Sequence, residues 1–190
     1  SLLSKSLGEG NREKANRAAG NGIFLMCIAV ALFMAFGIFG SRPFYAMQTD
    51  VAAVVDGGSA YTSICCIWTL GIFVEVMGER LLQASGRTIY TLFTQGTGAI
   101  LNILLDPLFI FGFEPLGIEP MGIKGAAVAT VTGQWVAAIM ALIFNFTRNP
   151  DVQLKLRYMR PDPQILRKIL NVGVPSIVMM AIGSVMNFGM

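Results

Sequence analysis

Five apolar blocks, at about 21–40, 60–83, 88–112, 122–145 and 172–190, constrain this chain more than anything else in it. Most reach the roughly 20 residues that an α-helix needs to cross a hydrocarbon layer. A bilayer core offers backbone N–H and C=O groups no water, so spanning segments are helices or closed barrels. A barrel would show short alternating segments instead. The chain is 54% hydrophobic and 13% charged, against about 25% charged in a soluble domain. The expected fold is all-α, a polytopic membrane helical bundle. The sequence opens at Ser1 without Met and stops at Met190 in an apolar run, so it reads as a fragment.

The basic residues fall on one side of these spans. Lys5, Arg12, Lys14 and Arg17 precede the first, Arg80 and Arg87 flank the connection after the second, and Arg148, Lys155, Arg157, Arg160, Arg167 and Lys168 fill the loop before the fifth. Only Arg42 and Lys124 of the 14 lie opposite. The positive-inside rule makes the basic side cytoplasmic. Residues 1–20 are then a cytoplasmic loop and helix start, 21–145 four transmembrane helices, 146–171 a cytoplasmic linker and 172–190 the start of a further helix. The opposite loops carry Asp50, Asp56, Glu114 and Glu119. A net charge of +3 follows topology and calls for no nucleic acid; the lipid bilayer is a sufficient partner.

Local punctuation refines the boundaries. Arg42-Pro43 is expected to end the first span and Met47 to Ser59, with Gly57-Gly58, to form an outer loop, so that the second span begins near Tyr61. Gly86 suits a helix end and Thr88 a cap for the third helix. Gln164 to Leu170 reads as an amphipathic helix, after which Gly173-Val174-Pro175 opens the last span. Gly125, Ala129, Gly133 and Ala137 recur every four residues, a seam of small side chains that admits a neighbouring helix.

The sequence has no His, which removes His-based metal sites, catalytic triads and histidine proton relays. Cys27, Cys65 and Cys66 lack a C-x-x-C spacing and read as small apolar packing residues. No phosphate-cradling loop or paired catalytic carboxylate motif suggests an enzyme.

The chemistry sits inside the spans. Gln95, Ala99, Asn102 and Asp106 are spaced four, three and four apart, which puts them on one face of the third helix. A central Asp costs roughly 2.5–3.5 kcal/mol to insert, and such residues usually face a wet interior and mark an ion or substrate route. Pro107 removes a backbone donor beside Asp106, so a local kink is expected there. Thr130 and Gln134 lie on the polar side of the fourth helix. Glu75 lies well inside the second span, while Glu79 and Arg80 are close enough to its end to snorkel or pair. Glu75, Gln95 and Gln134 form a possible additional polar site. The many Met and Phe read as packing or lipid-facing residues.

Five segments, in this order, resemble the multidrug and toxic compound extrusion (MATE) family: Leu7-Gly8-Glu9-Gly10 with Lys14-Ala15, Gln83-Ala84-Ser85-Gly86-Arg87-Thr88, Asn102 through Asp106-Pro107 to Gly112, Gly122 to Thr130, and Gly173-Val174-Pro175-Ser176. The resemblance implies the third to seventh of twelve helices: most of an amino-terminal lobe and the first helix of the carboxy-terminal one. It implies a monomeric, multi-pass cell-membrane transporter working by alternating access, with drugs or organic cations exported against inward Na⁺ or H⁺ and no cofactor.

Members with a cation site in the amino-terminal lobe take an Asn and an Asp four residues apart from the fifth helix, matching Asn102 and Asp106. A hydroxyl comes from the sixth, where Thr130 is nearest. Any metal is transported Na⁺ at Asp106 and Asn102. The Asp such members take from the first helix is not in this sequence. Other members place an acid in the seventh helix; the corresponding position is near Gly183, and no carboxylate occurs from Val172 to Met190. That favours coupling through the amino-terminal lobe. The alternative is a related flippase for lipid-linked saccharides, which would need a cationic cavity.

Overall fold

The computed structural model describes residues 2–112, 119–152 and 156–188. Glu114 and Lys155, counted in the charge pattern, lie outside them. The helices are α1 (Leu2–Gly8), α2 (Arg12–Phe39), α3 (Ser41–Ala46), α4 (Ala52–Ile67), α5 (Leu70–Ala84), α6 (Thr88–Phe111), α7 (Ile123–Arg148) and α8 (Pro163–Phe188), with a 3₁₀ turn at Leu156–Met159 before α8. Among the described residues there is no strand. By length and composition four helices suffice to cross a membrane, or five when the bent pair α4–α5 is one span. The all-α bundle of membrane-crossing helices is therefore as expected.

The chain divides into two compact units, residues 1–25 with 151–190, and residues 26–150. In the first, Asn11 caps α2 by accepting from the Lys14 N–H at 3.0 Å. Asp162 does the same for α8, accepting from Gln164 N–H at 3.0 Å. Asn21, 1% exposed, accepts from the Asp162 N–H at 2.8 Å and donates to the Arg17 carbonyl at 2.9 Å. These bonds tie the entry of α8 to the first turns of α2. Arg12 and Asp151 form an exposed ion pair at 3.4 Å.

Four boundaries differ from the sequence reading. The segment 52–59 is helical rather than loop, and the second span is a pair of helices bent by 51° around Trp68–Thr69. Thr88 is the first residue of α6 and not its cap; Arg87 holds the cap position, and no side-chain hydrogen bond caps the helix there. Pro175 does not open a span, because α8 runs through it unbroken from Pro163. Cys27 is exposed rather than packed.

In the second unit α7 is the hub. Gly125, Gly133 and Ala137 of its small-residue seam are buried against α6. A Cβ on Gly125 would collide with the Phe109 carbonyl, and one on Gly133 would lie 3.1 Å from the Gly98 carbonyl. The seam thus lets two backbones meet, as its spacing predicts. The end of α6 is closed by the approach to α7: Met121 N–H donates to the Phe109 carbonyl at 3.0 Å and Gly122 N–H to Ile110 at 3.2 Å. On its other side α7 meets α5, where Asn145, 4% exposed, donates to the Gly78 carbonyl at 2.8 Å. Trp135 packs on Gly71 and edge-on to Trp68, ring centroids 6.4 Å apart.

The connection from α5 to α6 is a Schellman turn. Gly86 takes φ +75°, its N–H donates to Gln83 at 3.0 Å and the Arg87 N–H donates to Leu82 at 2.8 Å. Glycine tolerates that left-handed conformation where side chains with a Cβ resist it. The short turn forces α5 and α6 to lie side by side, which brings the acidic face of α5 against the amide-bearing face of α6.

Candidate functional site

Asn102 is the hinge of the site. It lies one turn before Asp106 on α6, and its amide sits between that carboxylate and Thr130 on α7. With the amide nitrogen toward Asp106, Asn102 donates to Oδ1 at 3.2 Å and Oδ2 at 2.5 Å. Turned the other way, Nδ2 donates to Thr130 Oγ1 at 3.4 Å. The Thr130 hydroxyl donates to the Ala126 carbonyl at 2.9 Å, one turn back on its own helix. The structure therefore brings Asp106, Asn102 and Thr130 into one chain of contacts across the α6–α7 seam. Pro107 lies inside an unbroken α6.

A cavity of about 460 Å³ opens beside this chain, inside the ~300–1,000 Å³ range of small-molecule sites. Its polar wall is Glu75 from α5, Gln95 and Asn102 from α6, and Thr130 and Gln134 from α7. The rest is small or apolar, with Ile103 the largest such side chain. Asp106 is not on the wall; Asn102 stands between it and the cavity. The expected additional polar site, Glu75, Gln95 and Gln134, thus shares one chamber with two of the three residues expected to bind the cation.

Glu79 corrects the sequence reading. It neither snorkels nor pairs with Arg80, which donates instead to Gln83 at 2.9 Å. It is 5% exposed and accepts from Thr94 Oγ1 at 2.7 Å and from Gln95 Nε2 at 2.9 Å. Each carboxylate oxygen is engaged by α6, which is what a buried charge requires. The signal was present: Glu75 and Glu79 are four apart, facing the Thr94-Gln95 pair across a short turn. Among the described residues no group of three or more His, Cys, Asp and Glu is placed to hold a metal ion.

The MatE family model matches residues 1–108, more than half of the 190 residues. The probable multidrug resistance protein NorM of Thermotoga maritima is 26% identical over 181 residues, 93% of this chain and 37% of that protein. Two solved structures share the fold. One is the inward-facing conformation of a multidrug resistance MATE family transporter of the MOP superfamily, with TM-score 0.81 and 26% identity over 92% of this chain and 39% of that one. The other is the outward-facing conformation of such a transporter, with TM-score 0.87 and 24% identity over 98% of this chain and 40% of that one. The chain spans about two fifths of the length of these proteins. On the family model and the shared arrangement of helices, it belongs to the MatE family, the multidrug and toxic compound extrusion transporters.

Proposed function

We propose that the protein exports drugs or organic cations across the cell membrane in exchange for Na⁺ or H⁺, and that Asp106 is the coupling carboxylate. The observation that carries this is the Asn102 amide, which touches Asp106 on one side and Thr130 and the cavity on the other. When a proton or Na⁺ sits at Asp106, the electron-rich amide oxygen is drawn toward it, and Nδ2 points to Thr130. When the carboxylate is bare, Nδ2 turns to it, and the Thr130 hydroxyl keeps only its bond to the Ala126 carbonyl. Cation occupancy thus selects the amide orientation, and the amide forms part of the cavity wall. A ligand shifts a two-state equilibrium only through such differential contacts.

Other features support the same reading. The basic residues of 1–20 and 146–171 support a cytoplasmic side for both segments, the described helices resemble both an inward- and an outward-facing transporter, and the full-length protein is taken as a monomer. The flippase alternative is disfavoured, because among the described residues the cavity wall holds a carboxylate and neither Lys nor Arg, the reverse of a pyrophosphate site.

The test is transport into everted vesicles carrying the protein expressed from its complete gene, with an imposed Na⁺ or pH gradient. Asp106→Asn is expected to abolish gradient-driven accumulation while expression stays intact. Unchanged accumulation in that variant defeats the assignment.

A further inference from the structure

We infer that Glu75 is the residue that selects positively charged molecules in the α5–α6–α7 cavity, acting as the chamber's own counter-charge while Asp106 serves the coupling ion. The inference rests on the reading of the protein as an exporter but assigns a separate group to the exported molecule.

Three observations carry it. Among the described residues Glu75 is the only ionisable side chain on the cavity wall, so the wall offers a ligand one carboxylate and no Lys or Arg. Among the described residues its carboxylate has no hydrogen-bond partner, in contrast to Glu79, whose oxygens are taken by Thr94 and Gln95. The neighbouring amides are set for the same sign of charge. Glu79 engages Gln95 Nε2, which leaves Oε1 as the acceptor of that amide, and Gln134 across the cavity also lacks a protein partner.

Chemistry then defines the ligand. A cavity of about 460 Å³ with a small-residue and Ile103 lining and one carboxylate fits a compact amphiphile with a single delocalised positive charge. Glu79, one turn along α5, and Asp106 on α6 are both acidic and both off the wall; the α7 wall residues Thr130, Gly133 and Gln134 carry no charge. Because Glu75 is on the cavity wall and Asp106 is off it, substrate and coupling ion are assigned different carboxylates.

The experiment measures binding of tetraphenylphosphonium, a permanent cation, and of an uncharged aromatic amphiphile of similar size to the purified protein expressed from its complete gene. Glu75→Gln is expected to weaken tetraphenylphosphonium binding by roughly tenfold or more, with the neutral probe changed less than about twofold. Glu75→Asp is expected to retain most cation affinity. Adding Gln134→Glu to Glu75→Gln, which moves the charge across the cavity, is expected to restore it.

Equal loss for both probes, or no loss for the cation, overturns the proposal. So does a double variant that binds the neutral probe normally yet fails to recover the cation. Binding is read without any ion gradient, so a failure of Asp106 as the coupling group leaves this result standing, and the reverse also holds.

Discussion

Two carboxylates meet α6 near its opposite ends, and they are held in contrasting ways. Glu79 is 5% exposed, with Thr94 and Gln95 each donating to one of its oxygens. Asp106 is half-buried and leans on a single amide, Asn102, which has a second partner on α7. A buried charge with every oxygen engaged resists change, because removing it gives up two hydrogen bonds to a charged group. A carboxylate held by one exchangeable amide is free to alternate between states. The contrast separates a structural fastener between α5 and α6 from a group suited to binding and release.

The largest expected effect breaks the α6–α7 side alone. Gly125→Leu places a side chain where the Phe109 carbonyl already lies, and overpacking of that kind costs about 1–3 kcal/mol or more. Thermal unfolding of the purified protein should show the loss, and the variant should also lose coupling, because the seam that brings Thr130 to Asn102 is forced apart. A variant as stable as the parent would show that the helices do not approach as described.

Glu79→Ala comes next and acts on the other side. It removes the charged acceptor of the Gln95 amide and of the Thr94 hydroxyl, which keeps only the Thr91 carbonyl at 2.9 Å, for about 1.5–3 kcal/mol of stability, while Glu79→Gln keeps an acceptor for one of them and should recover part of that. Protein that survives is expected to retain gradient-driven transport. Asp106→Asn should give the opposite pattern, near-normal melting with transport lost. Matching patterns in the two variants would erase the distinction between the sites.

The parts of this arrangement legible in the sequence are those where one helix carries the signal. The seam from Gly125 to Ala137 declares itself by its period, and Asn102 and Asp106 by being polar within an apolar run. Contacts between helices were harder. Glu79 lies close enough to a span end to read as snorkelling; only the Schellman turn at Gly86, which folds α5 back along α6, gives it partners. The pair Gly57-Gly58 reads as a turn, yet it is helical, and Gly58 is where the Tyr45 ring packs while the Tyr45 hydroxyl and Thr62 Oγ1 lie 3.1 Å apart. A missing Cβ serves close packing as readily as a turn, and sequence does not separate the two. The 51° bend at Trp68–Thr69 has no Gly or Pro at the break. Pro175, conversely, sits within an unbroken helix, as membrane helices tolerate.

The smallest effect is the sharpest probe of Asn102. Thr130→Ser keeps the hydroxyl that bonds Ala126 and meets the amide, whereas Thr130→Val keeps the shape and deletes it. An interhelical hydrogen bond in a membrane is worth about 0.6 kcal/mol on average, so neither variant should shift melting by much. If the amide alternates between Asp106 and Thr130, removing the hydroxyl takes away the partner of one orientation only, that with Nδ2 toward Thr130, because the hydroxyl's own proton is held by the Ala126 carbonyl. That biases the amide toward Asp106 by about the worth of one such bond, so Thr130→Val should slow transport without abolishing it, and Thr130→Ser should match the parent. A complete loss in Thr130→Val, rescued by Thr130→Ser, would mean that the hydroxyl is itself a ligand of the coupling ion rather than a rest for the Asn102 amide, and would move Thr130 to the same rank as Asp106.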